Sequence, residues 1–149
     1  MSAPVVLVLS GPNLNLLGTR EPEVYGTATL ADYVDAVTES AGVHGFAIEH
    51  VQSNREADIV DAVHGARGRV AGIIINPGAF THYAWAIHDA LAAFAGPVVE
   101  LHISNPVRRE EWRHTSVITP VATGTITGFG IAGYRLALDA MATLVGAPE

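Results

Sequence analysis

The 149-residue sequence contains no cysteine and no lysine, since all eight of its basic residues are arginines. The absence of cysteine excludes disulfides, thiolate metal sites and cysteine nucleophiles. The absence of lysine excludes a catalytic Schiff base, which needs an amine, and also the lysine of a phosphate-binding P-loop. Two common routes to covalent and nucleotide chemistry are therefore closed to this chain.

Basic clusters and long apolar runs are missing as well. The formal net charge is −7 at pH 7, and the positive charges are dispersed along the chain. Proteins that bind nucleic acid gather arginine and lysine to neutralise phosphates, so this pattern argues against such a partner. No apolar run approaches the roughly 18 residues that a membrane helix needs, and no basic segment precedes the short apolar stretch near the N-terminus. We therefore expect a cytoplasmic protein that binds neither nucleic acid nor membrane.

Predicted strands alternate with predicted helices along the chain. Continuous aliphatic runs predict strands buried on both faces at 5–9 and 70–75. An alternating pattern predicts a second strand at 46–52, and further strands are predicted at 98–103 and, as a short fifth, at 124–127. The helices are predicted at about 30–41, after a capping box at 53–56, at about 82–94 and at 130–144. Thr29 is the expected cap of the first helix and Gly42 its expected end. This alternation predicts one α/β domain over residues 1–149, with a flavodoxin-like, doubly wound five-stranded parallel sheet in three α/β/α layers.

The segment from Gly11 to Gly26 follows the first strand and carries Arg20 and Tyr25, which we place in a loop. A phenol normally titrates near pH ~10 and is a poor base at neutral pH. A fixed cation favours the ionised phenol, and an arginine does not lose its own proton. The pair is thus consistent with an activated base, although an ordinary surface tyrosine is the commoner outcome for such a residue.

Polar side chains gather after four of the predicted strands, where ligands bind in doubly wound folds. They are Asn13, Asn15, Arg20 and Tyr25; Gln52, Ser53, Asn54 and Arg55; Asn76, Thr81 and His82 beside Gly78; and Glu100, His102, Ser104, Asn105 and Arg113. Because the carboxyl ends of parallel strands meet at one edge of the sheet, the sequence predicts a single site there.

Glu100 and His102 lie two residues apart, so on a strand they point to the same face. A carboxylate beside an imidazole fixes its tautomer and favours its protonated form, as a general acid requires, although a structural ion pair would look the same. Asn13 and Asn76 could donate to a developing oxyanion, and Arg113 could bind a carboxylate. Together these residues describe a site for an anionic, hydroxylated molecule, with one base and one acid.

The chain resembles the type II 3-dehydroquinate dehydratases over essentially its whole length. Five segments carry the resemblance: Gly11 to Asn15 continuing through Arg20-Glu21-Pro22 to Tyr25-Gly26; Gln52-Ser53-Asn54; Asn76 to His82; Glu100 to Asn105; and Arg109 to His114. The first and fourth segments are highly specific in combination, and the order and spacing of all five agree with the family.

The resemblance implies the dehydration of 3-dehydroquinate to 3-dehydroshikimate by anti elimination through an enolate, in the shikimate pathway of aromatic amino-acid biosynthesis and without metal or cofactor. It implies that Tyr25 is the proton acceptor, His102 the proton donor and Arg20 the stabiliser of developing charge. Asn13 would help hold a water at the enolate, and Glu100 would orient His102. The substrate-binding residues would be Asn76, His82, Ile103, Ser104 and Arg113, with Asp89 supplied by a neighbouring subunit of a homododecamer built from trimers. The unrelated type I enzyme uses a lysine imine, which this chain cannot form.

Three departures from the usual family pattern bear on the expected subunit contacts around Asp89, on substrate capture and on assembly. They are Tyr83-Ala84-Trp85 after His82, His88 before Asp89, and Val107-Arg108 before Arg109. They leave open a paralogue that serves quinate breakdown or acts on a related polyhydroxy acid. The alternative from another class is a non-catalytic flavodoxin-like binding module.

Two further motifs are assigned to structure rather than to ligand binding. The Gly128 to Gly133 segment matches GxGxxG, but the chain ends before the following strand and acidic residue that a dinucleotide site requires, so we expect close helix packing. His82, His88 and His102 lack both HxxxH spacing and a thiolate partner, so we expect no metal.

Overall fold

The computed structural model describes residues 2–146, which form a parallel five-stranded sheet with the strand order β2-β1-β3-β4-β5. The strands are β1 (Val5–Ser10), β2 (Ala47–Gln52), β3 (Gly72–Asn76), β4 (Val98–His102) and β5 (Gly124–Thr127). The helices are α1 (Pro22–Tyr25), α2 (Leu30–Val43), α3 (Glu56–Ala66), α4 (Trp85–Ala92) and α5 (Ala132–Gly146). Within residues 2–146, every helix is too short or too polar to cross a membrane.

The sheet is covered on both faces, which confirms the predicted three-layer α/β class. Val6 and Val8 of β1 point into a core formed with α2 and α5. Leu7 and Leu9, the alternate residues, point into a second core formed with α3 and α4. The continuous aliphatic runs are needed because successive side chains of a strand face opposite layers.

The first long helix begins as the sequence predicts. Thr29 accepts a hydrogen bond from the Asp32 amide at 3.2 Å, and the Asp32 carboxylate accepts one from the Thr29 amide at 2.9 Å. The predicted end at Gly42 is wrong, because α2 continues to Val43. The left-handed turn that follows the helix is taken by Gly45, whose φ is +77°.

The predicted starts of the next two helices are wrong. The capping box at 53–56 does not form: α3 begins at Glu56, and the Ser53 hydroxyl donates to the Asp58 carboxylate at 2.7 Å. The helix predicted over 82–94 is shorter than expected, because α4 covers only Trp85–Ala92. Gly78–His82 forms a 3-10 turn, and α4 starts only at Trp85. At the first place a side-chain hydrogen bond of Ser53 replaces the predicted cap, and at the second a 3-10 turn precedes the helix.

The loops after β1 and β3 are pressed together at the carboxyl edge of the sheet. The Gly11 amide donates to the Asn76 carbonyl at 2.8 Å. A Cβ on Gly11 would lie only 2.2 Å from the Pro77 carbonyl oxygen, so no other residue fits there without moving the backbone. Gly78 turns the second loop with φ +58°. This contact holds the segments that carry Asn13 and Asn76 side by side.

Candidate active site

A cavity of about 200 Å³ opens at the carboxyl edge of the sheet. Nine residues that the sequence singles out line it: Asn13, Arg20, Tyr25, Asn76, His82, His102, Ile103, Ser104 and Arg113. They come from the segments after β1, β3 and β4 and from the last residues of β3 and β4. The topology therefore assembles in space the polar residues that are scattered in the sequence.

Tyr25 is the last residue of the one-turn helix α1, which corrects its predicted position in a loop. Its phenol oxygen accepts a hydrogen bond from Nη1 of Arg109 at 2.7 Å. The guanidinium carbons of Arg20 and Arg109 lie 5.3 and 5.2 Å from the centre of its ring. Two cations thus flank one phenol, one of them bonded directly to its oxygen.

Arg109 is the site residue that the sequence reasoning missed. It occurs in the Arg109 to His114 segment, but nothing in the sequence pairs it with a tyrosine 84 positions earlier. The carboxylate of Glu21 lies 3.3 Å from Nη2 of Arg20 and 3.7 Å from Nη2 of Arg109, so it bridges the two cations. Glu21 has a left-handed backbone with φ +41°, uncommon for a residue other than glycine. Only the Arg20–Glu21 neighbourhood is visible in the sequence, so the sequence held no signal for Arg109.

Glu100 lies behind His102 rather than in the cavity, and only 1% of it is exposed. Its carboxylate accepts hydrogen bonds from Nε2 of His102 at 2.6 Å, from the Ser116 hydroxyl at 2.9 Å and from the Thr119 hydroxyl at 2.6 Å. Burial alone would raise the pKa of Glu100, but the hydrogen bonds from His102, Thr119 and Ser116 bring that pKa below its ordinary value. An ionised carboxylate is an acceptor only, so Nε2 of His102 carries a proton and Nδ1 is the nitrogen that Glu100 does not engage.

Asn13 and Asn76 are fixed by backbone contacts at the mouth of the cavity. Asn13 has φ +67°, and its backbone amide donates to Oδ1 of Asn54 at 2.9 Å. Asn76 is 5% exposed, and its Oδ1 accepts from the Gly78 amide at 3.2 Å. The Asn76 carboxamide is thus held by the turn that follows β3, whereas at Asn13 it is the backbone that is held, by Asn54 after β2.

His82 and Arg113 also line the cavity, and both lie against the ring of Trp112. Nδ1 of His82 is 2.7 Å from the Thr115 carbonyl, so Nδ1 carries a proton and Nε2 is an acceptor in the neutral ring. Burial lowers the pKa of His82, and the nearby His102 and Arg113 lower it further. The Arg113 guanidinium lies 4.0 Å from the centre of the Trp112 ring and also hydrogen-bonds the Glu110 carboxylate.

Asp89 lies outside this cavity in its own chain. It is exposed on α4, beside the exposed Trp85, which the sequence already marks as unusual. The assignment of Asp89 to a neighbouring subunit's site stays a prediction.

The charges at the cavity suit an anionic ligand. Arg20, Arg109 and Arg113 all line it, together with His82 and His102. Over residues 2–146 no group of three or more histidine and carboxylate side chains is arranged to hold a metal ion. The cavity also contains a phenol oxygen, from Tyr25, and an imidazole supported by Glu100, from His102.

Comparison with known proteins agrees with this geometry. Residues 4–142 match the model of the family described as "Dehydroquinase class II". The chain is 57% identical over 134 residues to 3-dehydroquinate dehydratase 2 of Pseudomonas aeruginosa, covering 90% of each protein. It is 52% identical over 134 residues to the catabolic 3-dehydroquinase of Penicillium rubens, covering 90% of this chain and 86% of that protein.

The fold is also similar to a solved structure. The crystal structure of a type II dehydroquinase from Propionibacterium acnes superposes with a TM-score of 0.91 at 43% identity, covering 95% of this chain and 98% of the other. The sequence and structural matches span the whole region that builds the cavity.

Proposed function

Because the chain belongs to the class II dehydroquinase family, we propose that its cavity dehydrates 3-dehydroquinate to 3-dehydroshikimate by anti elimination. The observation that carries this proposal is the arrangement of Tyr25 between two guanidinium groups, with His102 and its buried Glu100 lining the same cavity. A hydro-lyase of this kind needs one group to remove a proton and another to protonate the leaving hydroxyl. The cavity has one candidate for each task.

The base in this proposal is the tyrosinate of Tyr25. Arg109 donates to its oxygen, and Arg20 lies over its ring, so the charge of the phenolate would have two guanidinium partners. The phenolate takes the proton from C2 of the substrate, and the electron pair of that C–H bond forms the enolate. Arg20 stabilises the charge as it moves from the phenolate to the enolate, while Asn13 helps to hold a water at the enolate oxygen.

The acid is His102. Glu100 accepts the Nε2 proton and holds the ring in one orientation, so a proton on Nδ1 is the one available to the substrate. When the enolate collapses, the C1–O bond breaks and His102 protonates the departing hydroxyl, which leaves as water. The elimination consumes no oxidant or reductant, and its proton balance closes on Tyr25 and His102.

Substrate binding is assigned to the remaining cavity residues. Arg113 provides a guanidinium for the carboxylate, and the neutral His82 offers Nε2 as an acceptor for a hydroxyl. Asn76, Ile103 and Ser104 complete the polar wall toward the ring hydroxyls. Three arginines around one small cavity account for a preference for an anion.

Assembly is a further part of the proposal. We expect a homododecamer of four trimers in which Asp89 of one subunit reaches the site of its neighbour. The exposed Tyr83 and Trp85 lie near Asp89 in the sequence and provide apolar surface for such a contact, being 56% and 61% exposed. A cytoplasmic location is likewise kept as a prediction.

A role in aromatic amino-acid biosynthesis is the pathway we favour, and quinate breakdown is the alternative. The similarity to a catabolic 3-dehydroquinase of Penicillium rubens favours keeping the second candidate. Growth of a deletion strain without aromatic supplements, and separately on quinate, distinguishes them. Loss of growth only without supplements supports biosynthesis, and loss only on quinate supports catabolism.

A non-catalytic flavodoxin-like module would share the fold but leaves this arrangement unexplained. It gives no reason for two arginines on one phenol or for a buried carboxylate beside His102. Ultraviolet absorbance of the conjugated enone product, with purified protein and 3-dehydroquinate, tests the proposal. No turnover by folded, assembled protein would overturn it.

A further inference from the structure

The polar side chains at the carboxyl end of β2 have no part in the reaction proposed above. Gln52 and Asn54 lie outside the described lining of the cavity, although they follow a strand that ends at the same edge of the sheet. Gln52 is the partner of Ser10 at the end of the parallel pairing between β2 and β1. The Ser53 amide continues this pairing by donating to the Ser10 carbonyl at 3.1 Å. The two carboxamides therefore lie beside the segment that leaves β1 and carries Asn13.

Three hydrogen bonds connect these carboxamides with the segment from Gly11 to Asn13. Nε2 of Gln52 donates to the Gly11 carbonyl at 3.1 Å and to Oδ1 of Asn54 at 3.2 Å. The same Oδ1 accepts from the backbone amide of Asn13 at 2.9 Å. Side chains from the end of β2 thus bond both ends of this short segment.

Asn13 has an uncommon backbone conformation at this contact. Its φ is +67° and its ψ is −2°, in the left-handed region that residues other than glycine seldom adopt, although asparagine tolerates it better than most. An asparagine that begins a helical turn usually has an extended backbone, and its side chain accepts from the turn. Within residues 2–146, the Asn13 side chain makes no such bond to the 3-10 turn Leu14–Leu16. The left-handed backbone thus leaves the carboxamide available to the cavity that Asn13 lines.

Hydrogen bonds on both sides of the Asn13 Cα favour this conformation. Asn54 fixes the peptide plane that contains the Asn13 N–H. The Leu16 amide donates to the Asn13 carbonyl at 3.0 Å and fixes the plane that follows. The angles φ and ψ relate these two planes, so the two bonds together set the direction in which the Asn13 side chain leaves the backbone.

We propose that Asn54 and Gln52 are positioning residues, which hold Asn13 in the left-handed conformation that makes its carboxamide available to the site. The inference rests on the proposed dehydratase function, in which Asn13 helps to hold a water at the enolate oxygen. Asn54 acts through its bond to the Asn13 amide, and Gln52 acts through Asn54 and Gly11. An interaction that matters as charge develops on the enolate should affect kcat more than KM.

Asn54→Ala removes the acceptor at an exposed position, so the variant should fold normally. We expect kcat for 3-dehydroquinate to fall about threefold to tenfold, as for loss of one hydrogen bond, with KM changed less than about twofold. Asn54→Asp keeps an acceptor oxygen at this position and should have a kcat within about twofold of the wild-type value. An unchanged kcat in Asn54→Ala, or an equal loss in Asn54→Asp, would overturn the proposal.

A comparison of double variants separates this role from a general loss of structure. Asn13→Gly deletes the carboxamide, and glycine takes the left-handed backbone without strain. In that background Asn54→Ala should lower kcat less than about twofold, because its effect passes through the Asn13 side chain. Gln52→Ala is a second variant, which should show the same dependence on Asn13. Equal losses in kcat in the presence and absence of the Asn13 carboxamide would contradict the positioning role.

Crystal structures of Asn54→Ala and Asn54→Asp separate this inference from the proposed function. In Asn54→Ala the Asn13 backbone should leave the left-handed region, and in Asn54→Asp it should stay near its present φ of +67°. If the wild-type protein fails to turn over 3-dehydroquinate, the dehydratase proposal fails, and the Asn13 conformation in these crystals still decides the positioning role. An Asn13 that keeps its backbone and side-chain conformation in Asn54→Ala contradicts that role whatever the activity.

Discussion

Nη1 of Arg109 donates to the phenol oxygen of Tyr25 across 2.7 Å, joining two residues that are 84 positions apart in the chain. The contact places the positive charge of a guanidinium group next to the oxygen atom that we propose as the base. Arg20, from the same segment as Tyr25, contributes a second cation over the ring. The two arginines are therefore expected to differ in role, because Arg109 bonds the phenol oxygen directly and Arg20 lies over the ring.

Replacement of Arg109 with glutamine should lower kcat about 10²- to 10³-fold, the usual cost of losing one preorganised charge-stabilising donor. Glutamine keeps part of the side-chain volume but carries no charge to favour the phenolate. Steady-state kinetics with 3-dehydroquinate measure the effect. Arg108→Gln is the matched control, since Arg108 is exposed and does not line the cavity. Equal losses in both variants would contradict a specific role for Arg109.

Glu100→Gln should reduce both activity and stability. Glutamine replaces one carboxylate oxygen with an NH₂ group, which donates hydrogen bonds and does not accept them. It therefore cannot accept all three hydrogen bonds that His102, Ser116 and Thr119 give to the carboxylate. We expect kcat to fall about 10²- to 10⁴-fold, as for loss of a general acid. The free energy of unfolding should fall by about 1–3 kcal/mol, because a buried partner is left unsatisfied.

Urea denaturation and kinetics measure these two effects separately. Glu39→Gln, on the exposed face of α2, is the control for removal of one negative charge. A Glu100→Gln protein with normal kcat would show that the His102–Glu100 pair is structural only.

Stability should decrease as the pH falls below neutrality, in part through His50. Burial lowers the pKa of His50 relative to the ordinary value, about 6.5. The unfolded chain then binds the proton first, so the loss begins as the pH falls through about 6.5 and is complete once the folded pKa is passed. The lowered pKa of His82 acts in the same direction, so His50 accounts for part of the loss.

The urea midpoint at pH 7.5 and at pH 5.5, at one protein concentration, measures this decrease. His50→Gln should lose less stability between the two pH values than the wild type does. His64→Gln, on an exposed position of α3, is the control. A decrease in His50→Gln as large as in the wild type would contradict the assignment.

Dialysis against a chelator should leave turnover unchanged. The proposed route uses a phenol, an imidazole and three guanidinium groups, and no step requires a Lewis acid. Activity is compared before and after dialysis, and again after divalent ions are added back. A loss that a divalent ion restores would replace the proposed mechanism with a metal-assisted one.

The sequence was a sound guide where one physical rule dominates. Aliphatic runs at Val6 to Leu9 and Ile73 to Ile75 predicted doubly buried strands, and the structure buries every one of these residues. The two-residue spacing of Glu100 and His102 predicted a shared face, and their side chains meet at 2.6 Å. Period and burial are local properties, so a single sequence carries them.

The sequence failed where several weak interactions compete. Ser53 fits a capping box, yet its hydroxyl bonds Asp58 instead. Tyr25 sits in a one-turn helix that begins at Pro22 and is too short to show a hydrophobic period. Arg109 reaches Tyr25 through a fold-back of the chain, and no local pattern encodes that distance.

Turnover by Tyr25→Phe tests the central claim most directly. Phenylalanine removes only the phenol oxygen, so the folded protein should retain its assembly and substrate binding while kcat falls to near the detection limit. Enone absorbance gives kcat, and calorimetric titration with 3-dehydroquinate gives the binding affinity. Efficient wild-type turnover with a nearly inactive Tyr25→Phe that still binds is the result we predict. A near-native kcat in Tyr25→Phe would remove Tyr25 as the base and contradict the account.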